Sequence, residues 1–358
     1  MLAALGLARR GRGVTWPNPP VGCVLVREGS VVGRGATAPG GRPHAETVAL
    51  AMAGEQARGA TAYVTLEPCC HHGATPPCTE ALIAAGVARV LAAVRDPDPR
   101  VDGEGLARLR AAGIAVEEGM LRAEAEEVAA GFLSRVRNGR PAITLKLAAT
   151  LDGRIATHEG ESRWITGGPA RRAAHALRGR HDAVLVGIGT ALTDDPELTC
   201  RLPGFRSRPL VRIVADSGLR LPLTAKLVAT AREAPTWILH REGADAMRAA
   251  ALEALGLRLF ALPAGGIGID LAAALAALAA AGLTSVLAEG GAGLAAGLVR
   301  ADLVDRLVWF HAPALLGADA WPAAAALGIE PLAAMPRFRR LASRAVGEDL
   351  MTEFARVG

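Results

Sequence analysis

At 358 residues the chain exceeds one ordinary domain, and its 51% hydrophobic and 21% charged residues supply buried cores and exclude a disordered chain. The net charge of +5, carried almost wholly by arginine, suits an anionic small molecule as well as nucleic acid, but aromatics are only 3% and no arginine-rich tail occurs, so nucleic-acid binding lacks its other marks. Five cysteines are too few and too uneven for a disulfide framework, Met1 to Arg12 lacks the layout of a secretory signal, and the longest uncharged run, 271–288, divides into a helix and a strand, so a cytoplasmic protein with no membrane span is expected.

In chain order, Met1 to Arg12 predicts a short apolar helix that runs into Pro17-Asn18-Pro19-Pro20-Val21-Gly22. The prolines fix an irregular loop, which either holds the Asn18 amide in a pocket or is a plain turn. Strands are predicted over 21–26 and 31–34, joined at Glu28-Gly29-Ser30. A helix over Ala45–Arg58, ended by Gly59, puts His44 and Glu46 at its first turn. Strand 61–66 then delivers Glu67-Pro68-Cys69-Cys70-His71-His72-Gly73. Pro77 opens a further helix that Gly86 ends, which places Cys78 where unpaired N–H groups and the helix dipole favour a thiolate. Strand 90–94, the rigid Asp96-Pro97-Asp98-Pro99 loop, helix 103–112, strand 114–117 and helix 124–137 complete an α/β/α layer with at least part of its sheet parallel.

His44, Cys69 and Cys78 offer one imidazole and two thiolates, which leave the fourth tetrahedral position of a zinc ion to water and lower that water's pKa toward ~7. Glu46 is then the proton shuttle. A closed structural zinc site is the rival, with Cys70, His71 or His72 as fourth ligand, but it gives Glu46 no task. A His-x-Glu element followed by Pro-Cys is the order found in zinc deaminases acting on nucleobases, whose glutamate is not a ligand.

A second unit starts at Pro141, where strand 142–148 leads into Thr150-Leu151-Asp152-Gly153-Arg154. Two later strands end in glycine: 183–190, with Asp194-Asp195-Pro196 behind it, and 285–291, followed by a helix over 294–300. A strand that ends in glycines and opens a helix lets backbone N–H groups approach phosphate oxygens, although neither copy is a clean GxGxxG, and a tight turn is the alternative. Ser162, Trp164, Thr166, Arg171, Arg172 and Arg178 add anion-binding capacity, while the apolar stretch 303–310 either pairs across a dimer or belongs to a core.

The motifs His44-Ala45-Glu46, Glu67-Pro68-Cys69 and Gly73-Ala74-Thr75-Pro76-Pro77-Cys78, with Pro17-Asn18-Pro19 before them, resemble the deaminase half of the bifunctional deaminase/reductase family of riboflavin biosynthesis. Lys146-Leu147-Ala148, Leu151-Asp152-Gly153-Arg154, Trp164-Ile165-Thr166, Thr193-Asp194-Asp195-Pro196 and Glu289-Gly290-Gly291 are similar to its reductase half, in the same order. The Pro-Cys-x8-Cys spacing is the specific part, since nucleoside and tRNA deaminases usually carry Pro-Cys-x-x-Cys. The resemblance implies a cytidine-deaminase-like domain over 1–139 and a dihydrofolate-reductase-like domain over 140–358, both α/β, with Zn2+ on His44, Cys69 and Cys78 and NADPH as hydride donor. It implies that Ala148 (through its backbone), Trp164, Thr190, Asp194, Ser217 and the turn Gly291, Ala292, Gly293, Leu294, Ala295, Ala296, Gly297 contact NADP. Ser162, Arg178, Leu198, Arg201 and Glu289 would contact a phosphoribosyl-pyrimidine substrate, with Asn18 and His71 binding substrate in the deaminase half.

Lys146 and Asp152 are candidates for polarising and proton handling at the carbon being reduced, because the chain has only one other lysine, Lys226, and a lysine's pKa can be tuned where a guanidinium's cannot. A surface lysine at a strand start is the plain alternative. Cys70 stands where the family typically has serine; neighbours on extended backbone point apart, so Cys70 is expected to face away from the metal. Two other readings stay open: a nucleic-acid or nucleoside deaminase with an unrelated appended domain, and a non-catalytic zinc module that binds partners. A homo-oligomer acting on a small molecule, with no nucleic acid and no membrane, is expected.

Overall fold

Asn138-Gly139 ends one helix and Pro141 opens a strand, and there the chain divides into two units, Met1–Arg140 and Pro141–Gly358. The structure, a computed structural model, describes residues 1–357.

The first unit runs α1 (Leu2–Arg10), β1 (Gly22–Arg27), β2 (Ser30–Ala36), α2 (Ala45–Ala53), β3 (Thr61–Val64), α3 (Cys78–Ala84), β4 (Arg89–Ala92), α4 (Glu104–Ala111), β5 (Ala115–Glu118) and α5 (Arg122–Asn138). Its sheet has the order β2-β1-β3-β4-β5; β1 is antiparallel to β2 and β3, and β3, β4 and β5 are parallel. Glu28 and Gly29 both take positive φ and close the β1–β2 hairpin. Ala45, Ala49 and Ala53 recur every four residues and put a small buried face of α2 on the sheet. Gly35 makes this seat possible: a Cβ there would lie 1.9 Å from the Ala45 carbonyl oxygen. The helix expected to reach Arg58 stops at Ala53, because Gly54 turns to φ 53° and the chain tightens into a 3-10 turn over Gly54–Ala57. The same close seat fixes where His44 and Glu46 stand.

The second unit runs β6 (Ala142–Thr150), β7 (Arg154–Ala156), α6 (Gly168–Gly179), β8 (Ala183–Gly187), α7 (Ile188–Asp194), β9 (Val211–Ala215), α8 (Lys226–Ala229), β10 (Thr236–Arg241), α9 (Ala246–Ala254), β11 (Arg258–Leu262), α10 (Leu271–Ala280), β12 (Ser285–Ala288), α11 (Ala292–Arg300), β13 (Arg306–Ala312), β14 (Trp321–Pro322), β15 (Phe338–Val346) and β16 (Asp349–Arg356). A nine-stranded sheet has the order β11-β10-β9-β8-β12-β6-β13-β16-β15, parallel from β11 to β13 and antiparallel beyond. Leu303, Val304, Val308 and Phe310 are buried and belong to the core, and β13 is paired on both edges, so its backbone offers no open edge to a second copy. The run 271–288 divides into α10 and β12 as expected, and no helix among the described residues is long and apolar enough to cross a membrane.

Arg212 lies buried in the second unit. Only 1% exposed, it donates to the carbonyls of Glu197, Leu227, Thr230 and Ala234 and to the hydroxyls of Thr230 and Thr236. Burial pulls its pKa down to about 10. One guanidinium, with several donors in a fixed fork, thus ties the 227–236 connection to β9.

Candidate active sites

In the first unit, His44 sits at the N-cap of α2, β3 leads to Cys69, and Cys78 opens α3. The His44 Nδ1 is 3.6 Å from Cys69 Sγ and 3.3 Å from Cys78 Sγ, and the three ligand atoms lie within 4.8 Å of one another. Zinc bonds of ~2.3 Å to sulfur and ~2.0 Å to nitrogen at a tetrahedral angle place S and N roughly 3.5 Å apart, so the triangle fits zinc. No fourth metal-ligating group joins it among the described residues. Cys70 Sγ lies 3.4 Å from the Arg100 carbonyl and His72 pairs with Glu80 at 3.1 Å, while the half-buried His71 keeps a buried Nδ1 without a hydrogen-bond partner. The closed structural site therefore loses its support.

The helix start acts on a different cysteine from the one expected. The backbone N–H of Cys78 donates to Cys69 Sγ at 3.3 Å, so the first N–H of α3 serves the sulfur before the helix. Hydrogen bonding from Cys78, outweighing burial and joined by His44, holds Cys69 as a thiolate with its pKa down at about 4. Cys78, donating to that thiolate and buried, is pushed up instead. Glu46 is 4% exposed; burial and the charge on Cys69 raise it to about 7, where a carboxyl can both take and give a proton.

Glu67, which reads in sequence as part of the cysteine motif, has a holding task. It accepts from the backbone N–H groups of Asp96, Gly103 and Leu106 at 3.2, 3.0 and 3.2 Å and fastens the 96–106 segment beside the cysteine loop. Asn18 donates its amide to the Gly41 carbonyl at 2.9 Å, tying the Pro-Asn-Pro loop to the turn before His44.

In the second unit, the middle of β6 and the C-terminal end of β12 bring Lys146 and Glu289 together with Arg178 of α6. Arg178 grips Glu289 bidentately, at 2.6 and 3.1 Å, and Lys146 Nζ lies 3.8 Å from the same carboxylate. Burial alone would raise Glu289, but Arg178 and Lys146 hold it down at about 2. Burial and then Arg178 lower Lys146, against the pull of Glu289. Lys146 is thus no surface lysine, and Arg178 is no free anion receptor. Sequence reading missed His175, three residues before Arg178 on the same helix face: its Nδ1 is 3.1 Å from the Thr199 carbonyl, and Arg201 Nε donates to its Nε2 at 3.3 Å.

The two glycine-ended strands, β8 and β12, lie side by side. Gly291 donates its N–H to Thr190 Oγ1 at 3.1 Å, and a Cβ on Gly290 would come within 3.1 Å of the Gly187 nitrogen and of Leu294. Gly291 caps α11 without a side-chain hydrogen bond, which leaves the first N–H groups of that helix to an anion, as a dinucleotide requires. The expected turn 291–297 is helix from Ala292 onward. Leu294, Ala295, Ala296 and Gly297 are buried and Ala295 N bonds Gly291 O, so only the first turn can face phosphate.

Other expected contacts are placed as follows. Asp194 receives Arg163 at 3.4 Å; Trp164 is 68% exposed, with Arg171 stacked 4.5 Å from its ring centroid; Ser162 is half-buried. Leu198 is 3% exposed, its side chain in the core and its φ 53°, so it can meet a ligand only through its backbone. Asp152 does not stand ready to handle a proton. It accepts from Thr150 Oγ1 at 2.5 Å and from the N–H groups of Leu316 and Gly317 at 3.3 and 2.8 Å, which hold its pKa below the ordinary range and make it an anchor for that loop.

Two family profiles match the chain: the cytidine and deoxycytidylate deaminase zinc-binding region over residues 1–94 and the RibD C-terminal domain over residues 141–352. The riboflavin biosynthesis protein RibD of Escherichia coli K12 is 45% identical, covering 98% of this chain and 96% of its own. That of Aquifex aeolicus is 41% identical over 99% and 97%. Among solved structures, Acinetobacter baumannii RibD superimposes with a TM-score of 0.88 at 36% identity, covering 99% of this chain and 97% of that one. The Thermotoga maritima diaminohydroxyphosphoribosylaminopyrimidine deaminase/5-amino-6-(5-phosphoribosylamino)uracil reductase gives 0.86 at 33%, over 100% and 97%. Fold and sites together define a zinc-dependent deaminase joined to an NADPH-dependent, dihydrofolate-reductase-like reductase. The chain belongs to the RibD family, the bifunctional deaminase/reductases of riboflavin biosynthesis.

Proposed function

We propose that the first unit hydrolytically deaminates 2,5-diamino-6-(5-phosphoribosylamino)pyrimidin-4-one and that the second reduces the ribosyl group of 5-amino-6-(5-phosphoribosylamino)uracil to ribityl. The observation that carries the reading is the His44, Cys69 and Cys78 triangle beside a buried Glu46. His44, Cys69 and Cys78 would hold zinc, which would supply a water activated near neutral pH, at a pKa of ~7. Glu46 takes one proton from the attacking water at its carboxylate and passes it to the ring nitrogen, then carries the second from the added hydroxyl to the departing ammonia. Asn18 and His71 position the pyrimidine, the latter with its unpartnered Nδ1.

In the reductase unit the hydride that C1′ of the opened ribose receives would be supplied by NADPH. Lys146 gives a proton to the ribose ring oxygen O4′ as the C1′–O4′ bond breaks and leaves a C1′=N iminium, the acceptor of the hydride; a lowered ammonium pKa suits the task, and this replaces Asp152 as the proton source. Glu289 and Arg178 keep Lys146 in place, while Arg201 and Ser162 take the phosphoribosyl end. Ala148, Trp164, Thr190, Asp194, Ser217 and the first turn of α11 hold the dinucleotide. The protein works in the cytoplasm on small molecules without nucleic acid, as a homo-oligomer; support for the last is β15, a nine-residue edge strand exposed along nearly its whole length.

The test follows ammonia release and NADPH absorbance together on the diaminopyrimidinone, with Glu46→Gln in parallel. Expected is ammonia followed by NADPH loss, both abolished by Glu46→Gln, with NADPH loss restored by supplying the deaminated pyrimidine. Ammonia release that survives Glu46→Gln overturns the deaminase assignment. Failure to oxidise NADPH on the deaminated pyrimidine overturns the reductase assignment.

A further inference from the structure

The cofactor's long axis can be laid out from strand register. Ala288 of β12 pairs with Leu145 of β6 and Leu185 of β8, Gly187 pairs with Ala215 of β9, and Ala215 pairs with Leu239 of β10. The chemistry of hydride transfer, at Lys146 and Glu289, therefore lies over β6 level with the end of β12, and the glycine turns lie at the ends of β12 and β8. A dinucleotide whose nicotinamide meets Lys146 and whose pyrophosphate meets the glycine turns must carry its adenosine onward, over the ends of β9 and β10. Four strand intervals of ~4.8 Å separate β6 from β10, about 19 Å in all, a span suited to an extended dinucleotide.

Two residues past the Ala215–Leu239 pair stand Ser217, in the turn after β9, and Arg241, the last residue of β10. The N–H of Arg241 donates to the Ser217 carbonyl at 3.1 Å, which locks the two side by side. Ser217 is closed in from above by the 265–268 loop, since a Cβ on Gly268 would lie 2.5 Å from its hydroxyl. Arg241 is exposed, and its guanidinium makes no hydrogen bond or ion pair among the described residues. Neighbouring charges are committed or differently placed: Arg220 lies 3.7 Å from Asp216, Asp216 is buried and accepts from Leu221 N, and Glu242 is an exposed carboxylate just beyond the strand end.

The geometry points to Arg241, with the Ser217 hydroxyl, as the pair that grips the 2′-phosphate of NADPH and so selects it over NADH. A guanidinium at this strand end provides a planar, permanently charged donor for a phosphate; it offers nothing comparable to a ribose 2′-hydroxyl, which NAD sites hold with a carboxylate. The assignment rests on the proposed placement of NADP at Ser217 and the glycine turns.

The test measures equilibrium binding of NADPH and NADH to the full-length enzyme by nicotinamide fluorescence, with 2′,5′-ADP and 5′-ADP as competitors, for wild type, Arg241→Ala, Arg220→Ala and Gly290→Ala. Arg241→Ala is expected to weaken NADPH and 2′,5′-ADP about tenfold or more while leaving NADH and 5′-ADP within about twofold. Its melting temperature stays that of wild type, because the side chain holds nothing in the fold. Arg220→Ala changes the NADPH-to-NADH ratio by less than about threefold. If Arg241→Ala keeps the wild-type ratio while Gly290→Ala weakens both dinucleotides, the cofactor lies where proposed and the role of Arg241 is refuted. If Gly290→Ala also binds both as wild type does, the placement of the cofactor itself has failed, and the inference with it.

Discussion

Replacing Glu289 by Gln keeps the shape of the side chain and removes the one negative charge between Arg178 and Lys146. The carboxylate stands at about 2 instead of 4.5, a difference worth about 3 kcal/mol. Its side chain is only 8% exposed, so little of this is lost to solvent screening. The figure agrees with the ~3–5 kcal/mol that breaking a buried pair costs. Lys146 limits the loss, because burial and Arg178 already lower its pKa and it can shed its proton once Glu289 is neutral. In a unit spanning 141–358, about 2–4 °C per kcal/mol gives a fall of roughly 6–12 °C in the reductase transition at pH 7. The pH dependence has a definite sign. A lowered carboxylate pKa stabilises fully above the unfolded value near 4.5 and ceases to do so as pH falls through about 2. The gap between wild type and Glu289→Gln should therefore close as pH falls from about 5 toward 2. Scanning calorimetry of both proteins from pH 7 to about pH 3 reads this directly. A gap below about 2 °C at pH 7, or one that stays constant on acidification, refutes the account of the triad.

Arg212→Met leaves the carbonyls of Leu227, Thr230 and Ala234 without their buried donor, and at ~1–3 kcal/mol for each unsatisfied group the second unit should lose at least about 3 kcal/mol in urea titration. Arg212→Lys should rescue little, because one ammonium cannot reach acceptors spread from Glu197 to Thr236. Cys70→Ser should retain roughly one zinc per chain by elemental analysis, since its sulfur faces the Arg100 carbonyl and not the ligand triangle; a marked fall in zinc would show that Cys70 supports the metal.

The zinc triangle could be read from sequence because its chemistry survives any rotation of the pieces. Two thiolates, one imidazole and a glutamate two residues on have few joint uses, and the helix and strand signals bring them near one another. Which cysteine receives the N–H of α3 was not legible, because that depends on how the 70–77 loop returns the helix start toward Cys69. Element types followed hydrophobic period and turn chemistry, but the end of α2 did not: Gly54 broke the helix early, and only its φ shows why Gly59 was not the stop. Long-range charge pairing was the least legible. Arg178 and Glu289 are separated by 111 residues, and nothing local distinguishes this arginine from the exposed ones around it. Arg212 is the sharper case, since its partners are mostly backbone carbonyls that have no sequence signature at all.

That difference bears on how the two reactions are built. In the deaminase unit the groups that do chemistry come from one continuous stretch, 44–78, and more distant residues, Glu67's partners among them, mainly hold it still. In the reductase unit the Lys146–Glu289–Arg178 cluster is drawn from β6, the end of β12 and α6, which only the parallel crossovers of the sheet bring together. A change in connection length near α6 or β12 should therefore disturb the Lys146–Glu289–Arg178 geometry and hydride transfer, whereas a change of the same size in the exposed 72–76 loop should leave the ligand triangle standing. Stability of the sheet is thus a condition for catalysis in the second unit, and local helix and strand starts suffice in the first.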